Sequence, residues 1–140
     1  MKDIVLMIDD KKRKGLYIKY FDESLYVNDD SLSFINKICL AYGSTRKGRI
    51  ESYRYHFGNA NKVPIWLIQD SCLFPLLAPK NKGNIWFNTK HIDSAIRINS
   101  YLTKVILLNQ ESVIVNTNIR TFNKQLSRAR YFIEVIKQND

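Results

Sequence analysis

The clearest structural signal in the sequence is NTNIRTFNKQLSRARYFIEVIK, residues 116–137. Its apolar residues recur at intervals of three and four, which places them on one face of an α-helix. These apolar positions are Ile119, Phe122, Leu126, Ala129, Phe132, Ile133 and Ile136. The polar side carries the basic residues Arg120, Lys124, Arg128, Arg130 and Lys137, and Asn116, Thr117 and Asn118 all suit the amino-terminal cap. The segment therefore predicts an amphipathic helix with a basic outer side.

The rest of the sequence predicts mainly antiparallel strands. Short runs rich in β-branched and apolar residues are bounded by turn-forming residues, as expected for strands and hairpins. The predicted strands cover residues 4–8, 16–20, 63–68, 72–77, 105–108 and 112–115, and a further apolar segment begins at residues 85–87. The first pair and the last pair each indicate a hairpin.

One further helix is predicted in the middle of the chain. Apolar residues from Leu32 to Tyr42 follow a helical spacing, Asp29, Asp30 or Ser31 can cap the start, and Gly43 is a natural stop. The next segment, STRKGRIESYRY at residues 44–55, indicates a basic loop around Gly48 that leads into a strand. The predicted fold class is α+β, with mostly antiparallel sheet or hairpins, one mid-chain helix and a C-terminal amphipathic helix.

Composition points to a basic globular protein. The 140 residues are 45% hydrophobic and 25% charged, which suits one folded domain over residues 1–140. They contain 22 Lys and Arg against 13 Asp and Glu, a net charge of +9, which favours a polyanionic partner such as nucleic acid. Neither a signal peptide nor a membrane-spanning stretch is recognisable, so a cytoplasmic protein without a membrane partner is expected.

The sequence offers little support for an enzyme. His56 and His91 lack a neighbouring nucleophile or carboxylate motif, and no phosphate-binding glycine loop or zinc-ligand spacing is present. Cys39 and Cys72 lie among apolar residues, which indicates buried thiols. We therefore expect no catalytic residues, no metal ligands and no cofactor. A small basic ribonuclease, which needs only His, Arg and Tyr, stays open as the rival class.

From residue 25 onward the sequence resembles the ComK family of competence transcription factors. The likeness is carried by LYVN at residues 25–28, INKICLAYGSTRKGRIES at 35–52, KVPIWLIQDSCLFPLLAP at 62–79 and IWF at 85–87. It continues through the last hairpin into Phe122, Asn123 and Gln125. These blocks occur in the family's order over about four-fifths of the chain. Gly83 and Asn84 depart from the Cys-Gly step that the family has before the tryptophan.

This resemblance implies a transcription activator that binds AT-rich promoter DNA without a small-molecule cofactor. Double-stranded DNA is the expected partner, a homo-oligomer is a further expectation, and the resemblance adds a proteolytic adaptor. Arg46, Lys47 and Arg49 are the first candidates for DNA contact, because three cations around one glycine can approach a backbone closely. A-tracts, whose narrow minor groove concentrates negative potential, would attract them from the minor-groove side.

A weaker resemblance links IWFNTKHI, residues 85–92, to LytTR-type DNA-binding domains, which contact DNA from loops between strands. It implies DNA contacts at Lys80, Lys82, Asn88, Lys90, Thr117 and Arg120, and Lys124 lies one helical turn further on. Asn88 suits a structural turn equally well. The open alternatives are a LytTR-like module without activator function, a small RNA-binding protein and the ribonuclease. For RNA, Tyr53, Tyr55 and Phe57 would share one strand face and stack on bases, although core packing explains them too.

Overall fold

The computed structural model describes residues 3–10, 12, 14–78 and 83–138. Within them the chain forms three helices and two antiparallel sheets, which confirms the α+β class. The helices are α1 (Ser31–Ala41), α2 (Arg46–Phe57) and α3 (Ile119–Gln138). The strands are β1 (Ile4–Asp10), β2 (Gly15–Tyr20), β3 (Ser24–Val27), β4 (Ile65–Ile68), β5 (Ser71–Pro75), β6 (Ile85–Asn88), β7 (Ile92–Arg97), β8 (Thr103–Leu107) and β9 (Ser112–Val115).

The larger sheet has six strands in the order β3-β2-β1-β6-β5-β4. Alternate side chains of its central strands enter two separate cores, because successive residues of a strand point to opposite faces. Leu6, Phe87 and Phe74 lie in register and belong to the core that α3 and the smaller sheet cover. Met7 and Trp86 point the other way, into the core beneath α1. The sheet is thus buried on both sides.

Helix α1 begins and ends as the sequence predicts. Asp30 caps its start by accepting a hydrogen bond from the Ser33 backbone at 2.9 Å. The chain leaves the helix at Gly43, whose φ of +88° is readily adopted by glycine alone. The Asp9 carboxylate accepts bonds from the backbone and the hydroxyl of Ser31, at 3.1 and 2.6 Å, and so fixes α1 to β1.

The prediction of a basic loop and a strand after Gly43 is wrong, because residues 46–57 form helix α2. Thr45 caps the helix by accepting from the backbone N–H of Gly48 at 2.9 Å. Tyr53 is buried and packs edge-on against Phe132 of α3, with ring centroids 5.1 Å apart. Tyr55 is 85% exposed. The two tyrosines therefore lie on different sides of a helix and do not share a strand face.

The smaller sheet has the strand order β7-β8-β9 and packs against the same core as α3. Ala95, Val105 and Val113 lie in register on its inner side. The β8–β9 hairpin and α3 are confirmed, and Asn118 caps α3 by accepting from the Thr121 backbone at 2.8 Å. Strands β3 and β7 are additional to those that the sequence predicts.

Candidate nucleic-acid interface

Much of the positive charge lies in the smaller sheet and α3. Residues 94–133 contain six Lys and Arg and a single carboxylate, Glu111. Glu111 is 2.8 Å from the ammonium group of Lys19 on β2 and is therefore already paired. This part of the chain contributes +5 of the net charge of +9. This part of the chain would therefore attract a polyanion.

Three cations form a stripe along α3, which we call the basic stripe: Arg120, Lys124 and Arg128. They are spaced four residues apart, so they follow one another along one side of the helix. Arg120 and Lys124 are exposed, and no described carboxylate pairs with any of the three. Two of the predicted contact residues thus lie together on an open surface.

Arg128, at the far end of the basic stripe, is held by a hydrogen bond within α3. Arg128 donates to the side-chain oxygen of Gln125 at 3.1 Å, and the Gln125 amide donates to the Pro75 carbonyl at 3.1 Å. Burial raises the pKa of the Tyr53 hydroxyl on α2, and the nearby positive charge of Arg128 partly offsets this effect. Arg128 is therefore held in place by Gln125, which is itself fixed to β5.

The β7–β8 turn adjoins the near end of the basic stripe. The Thr103 hydroxyl donates to the Thr117 carbonyl at 2.6 Å, which joins this turn to the start of α3. The side chain of Asn99 accepts from the backbone N–H groups of Tyr101 and Leu102, at 2.8 and 2.9 Å, and thereby fixes the turn. Exposed Arg97 is paired with Thr103 across the sheet. Arg97 is thus a further cation near the basic stripe that was not predicted from the sequence. The absence of Asp and Glu from residues 94–110 could have pointed to it.

The three cations around Gly48 lie in different surroundings. Arg46 and Lys47 begin α2, where the helix dipole adds positive potential and the first turn has no acidic residue. Arg49 instead turns inward, with its guanidinium carbon 4.7 Å from the centre of the Trp66 ring and a bond of 3.4 Å to the Leu67 carbonyl. Arg46 and Lys47 remain candidates for DNA contact, whereas Arg49 joins α2 to β4.

Asn88 has a structural role. It is 1% exposed, donates to the Ile4 carbonyl at 2.8 Å and accepts from the Lys90 backbone at 3.1 Å. These bonds fix the turn after β6 to the start of β1. The polar atoms of Asn88 are buried and used within the chain, which supports the structural turn rather than the predicted DNA contact.

Replacing Asn88 by Ala should lower the free energy of unfolding by about 1–2 kcal/mol, because the Ile4 carbonyl and the Lys90 N–H would lose their partner. Urea denaturation measures this change, with Asn59→Ala at an exposed position as the control. DNA binding by the folded Asn88→Ala protein should be unchanged. A selective loss of DNA affinity at normal stability would restore Asn88 to the contact surface.

The other residues predicted in loops differ in their surroundings. The Lys90 ammonium group lies 2.9 Å from the Asp3 carboxylate, which is also 2.9 Å from the His91 ring. Partial burial raises the pKa of the Asp3 carboxyl, but the bond from Lys90 and the charge of His91 outweigh it, so the pKa is lowered overall. Lys90 therefore already has a carboxylate partner, which it shares with His91. Lys80 and Lys82 lie outside the described residues.

The thiols are as the sequence predicts. Cys39 and Cys72 are both free and fully buried, in different cores, and burial raises the pKa of the Cys72 thiol.

Within the described ranges, no three His, Cys, Asp or Glu residues come together in a way that could hold a metal ion. None of the described helices is long and apolar enough to cross a membrane.

Comparison with known proteins agrees with the resemblance seen in the sequence. The chain has no significant match among curated proteins or solved structures. The profile of the ComK protein family, however, matches residues 2–140, which is nearly the whole chain. By this match the chain belongs to the ComK family.

Proposed function

We propose that this protein is a cytoplasmic transcription activator that binds AT-rich promoter DNA through the basic stripe. ComK proteins are competence transcription factors, so membership gives the general class. The observation that carries the DNA-binding proposal is the exposed, carboxylate-free row of Arg120 and Lys124 at the end of the smaller sheet. Cations without protein partners are free to replace the counterions of DNA phosphates.

The dimensions of the surface suit a duplex. Eight residues of α-helix separate Arg120 from Arg128, a span of about 12 Å. The minor groove of DNA is about 6 Å wide, so the stripe is long enough to reach phosphates on both of its sides. Arg97 would approach the same groove from the β7–β8 turn. Arg46 and Lys47 would add phosphate contacts at the start of α2.

Sequence preference would come mainly from DNA shape. Runs of A·T pairs narrow the minor groove and strengthen its negative potential, which attracts arginine side chains. Arg97 and Arg120 are the candidates, because both are exposed and neither is paired with a described carboxylate. The expectations of a homo-oligomer and a proteolytic adaptor accompany this proposal as predictions.

An AT-rich duplex should bind about tenfold more tightly than a GC-rich duplex or a structured RNA at matched salt. Replacing the A·T pairs by inosine–cytosine pairs should preserve binding, since that pair keeps the minor-groove pattern of A·T and alters the major groove. Gel-shift titrations measure both comparisons.

The same titrations separate the alternatives. Loss of affinity on the inosine–cytosine exchange, with indifference to a minor-groove drug, would contradict minor-groove recognition. Preference for RNA would favour the RNA-binding alternative, for which exposed Tyr55 beside Arg54 offers a stacking surface. Cleavage that disappears on replacing His56 or His91 would favour the ribonuclease.

A further inference from the structure

The outer side of the smaller sheet carries three isoleucines. An antiparallel sheet that packs on a core with one side commonly shows polar residues on the other. Here Ile96, Lys104 and Ile114 lie in one row across the three strands, and Ile106 lies in the next row between two serines. Ile96 and Ile114 are 49% and 60% exposed. We call this surface the isoleucine face.

The isoleucine face is separate from the basic stripe. Arg97, Thr103 and Val115 form the neighbouring row, and Val115 is buried, so that row points towards the core and α3. Alternation along each strand turns Ile96, Lys104 and Ile114 to the opposite side. DNA bound along α3 would therefore leave the isoleucine face open.

The centre of the isoleucine face carries an unneutralised positive charge. Lys104 is exposed and forms no ion pair with a described residue. The nearest carboxylates along the strands are Asp93 and Glu111, which both lie beyond the row of Ile106. Asp93 accepts a hydrogen bond from the Ser94 hydroxyl at 3.1 Å, and Glu111 pairs with Lys19. A matching surface would need apolar side chains around a carboxylate.

We propose that the isoleucine face docks another protein through an acidic amphipathic helix. Large exposed apolar surfaces of soluble proteins commonly mark interaction sites, and a central Lys favours a partner with a carboxylate at the same place. A second copy docked about a two-fold axis through this centre would bring two Lys104 ammonium groups together. DNA offers phosphates but little apolar surface to cover the isoleucines.

The test uses two synthetic amphipathic helices of about 18 residues, with Leu along one side and either Glu or Lys in the middle of that side. NMR of the isoleucine methyl groups should show the Glu peptide shifting the signals of Ile96, Ile106 and Ile114. Fluorescence anisotropy should give at least about tenfold tighter binding of the Glu peptide, and Lys104→Glu should reverse the preference.

Two surface variants provide the control. Ile114→Ser should abolish binding of the Glu peptide, whereas Leu40→Ser, at a 56% exposed position on α1, should leave it unchanged. Equal binding of both peptides, or shifts elsewhere, would overturn the proposal. A dimer in sedimentation that Ile114→Ser dissociates would assign the face to a second copy instead. Methyl shifts on adding an AT-rich duplex would assign it to DNA.

Discussion

Raising the salt concentration from 50 to 200 mM should weaken binding to an AT-rich duplex by about 1,000-fold, which corresponds to a slope of log affinity against log salt near −5. This slope is expected if about six phosphates are neutralised, each releasing bound counterions. Six cations belong to the proposed contact, which is sufficient for such a slope: Arg46, Lys47, Arg97, Arg120, Lys124 and Arg128. Anisotropy titrations at several salt concentrations measure the slope directly.

A GC-rich duplex is the natural control for the salt series. Counterion release does not depend on base sequence, so the GC-rich duplex should bind more weakly but lose affinity with a similar slope. A slope shallower than about −2 on both duplexes would show that the basic stripe and its neighbouring cations do not contact DNA phosphates.

Helices α1 and α3 could be predicted because the apolar residues that pack them recur in the sequence at intervals of three and four. Phe122, Leu126, Ala129 and Ile133 recur on one side of α3, and all four are buried as that pattern requires. The basic side of α3 follows from the same periodicity. Arg120 and Lys124 could thus be assigned to an exposed surface from sequence alone.

Helix α2 could not be predicted in the same way. Its only buried residue is Tyr53, so its apolar side is too narrow to produce a helical pattern. The alternation of Tyr53, Tyr55 and Phe57 imitates a strand. What stabilises the helix is distant in sequence: Phe132 of α3 packs on Tyr53, and Trp66 of β4 lies beneath Arg49. Tertiary contacts here outweigh local preference.

The roles of the loop residues also depended on distant partners. Asn88 bonds to Ile4 and Lys90 pairs with Asp3, more than eighty positions away in each case. Nothing in the segment around residue 88 reveals that β1 will pair with β6. In the same way, Arg97 joins the basic surface only because β7 pairs with β8 and Thr103 bonds to Thr117.

Replacing Arg120 and Lys124 together by Ala should weaken binding to an AT-rich duplex by about 50-fold near 0.1 M salt and make the salt slope shallower by about 2. Each side chain is expected to neutralise one phosphate, so each lost contact means that about one counterion fewer is released on binding. Both residues are exposed on α3, so the variant should remain folded, which circular dichroism checks.

The matched control is the double variant Lys37→Ala with Lys137→Ala, which removes the same formal charge from two helices. Lys37 is paired with Asp29 at 2.9 Å and Lys137 with Asp70 at 2.5 Å, so these cations are already neutralised within the protein. Their loss should change DNA affinity less than about threefold. If both double variants weaken DNA binding equally, DNA affinity depends on the net charge of the protein and not on the position of the basic stripe. If only Arg46→Ala with Lys47→Ala weakens binding, DNA is contacted at the start of α2, and the basic stripe is not the interface.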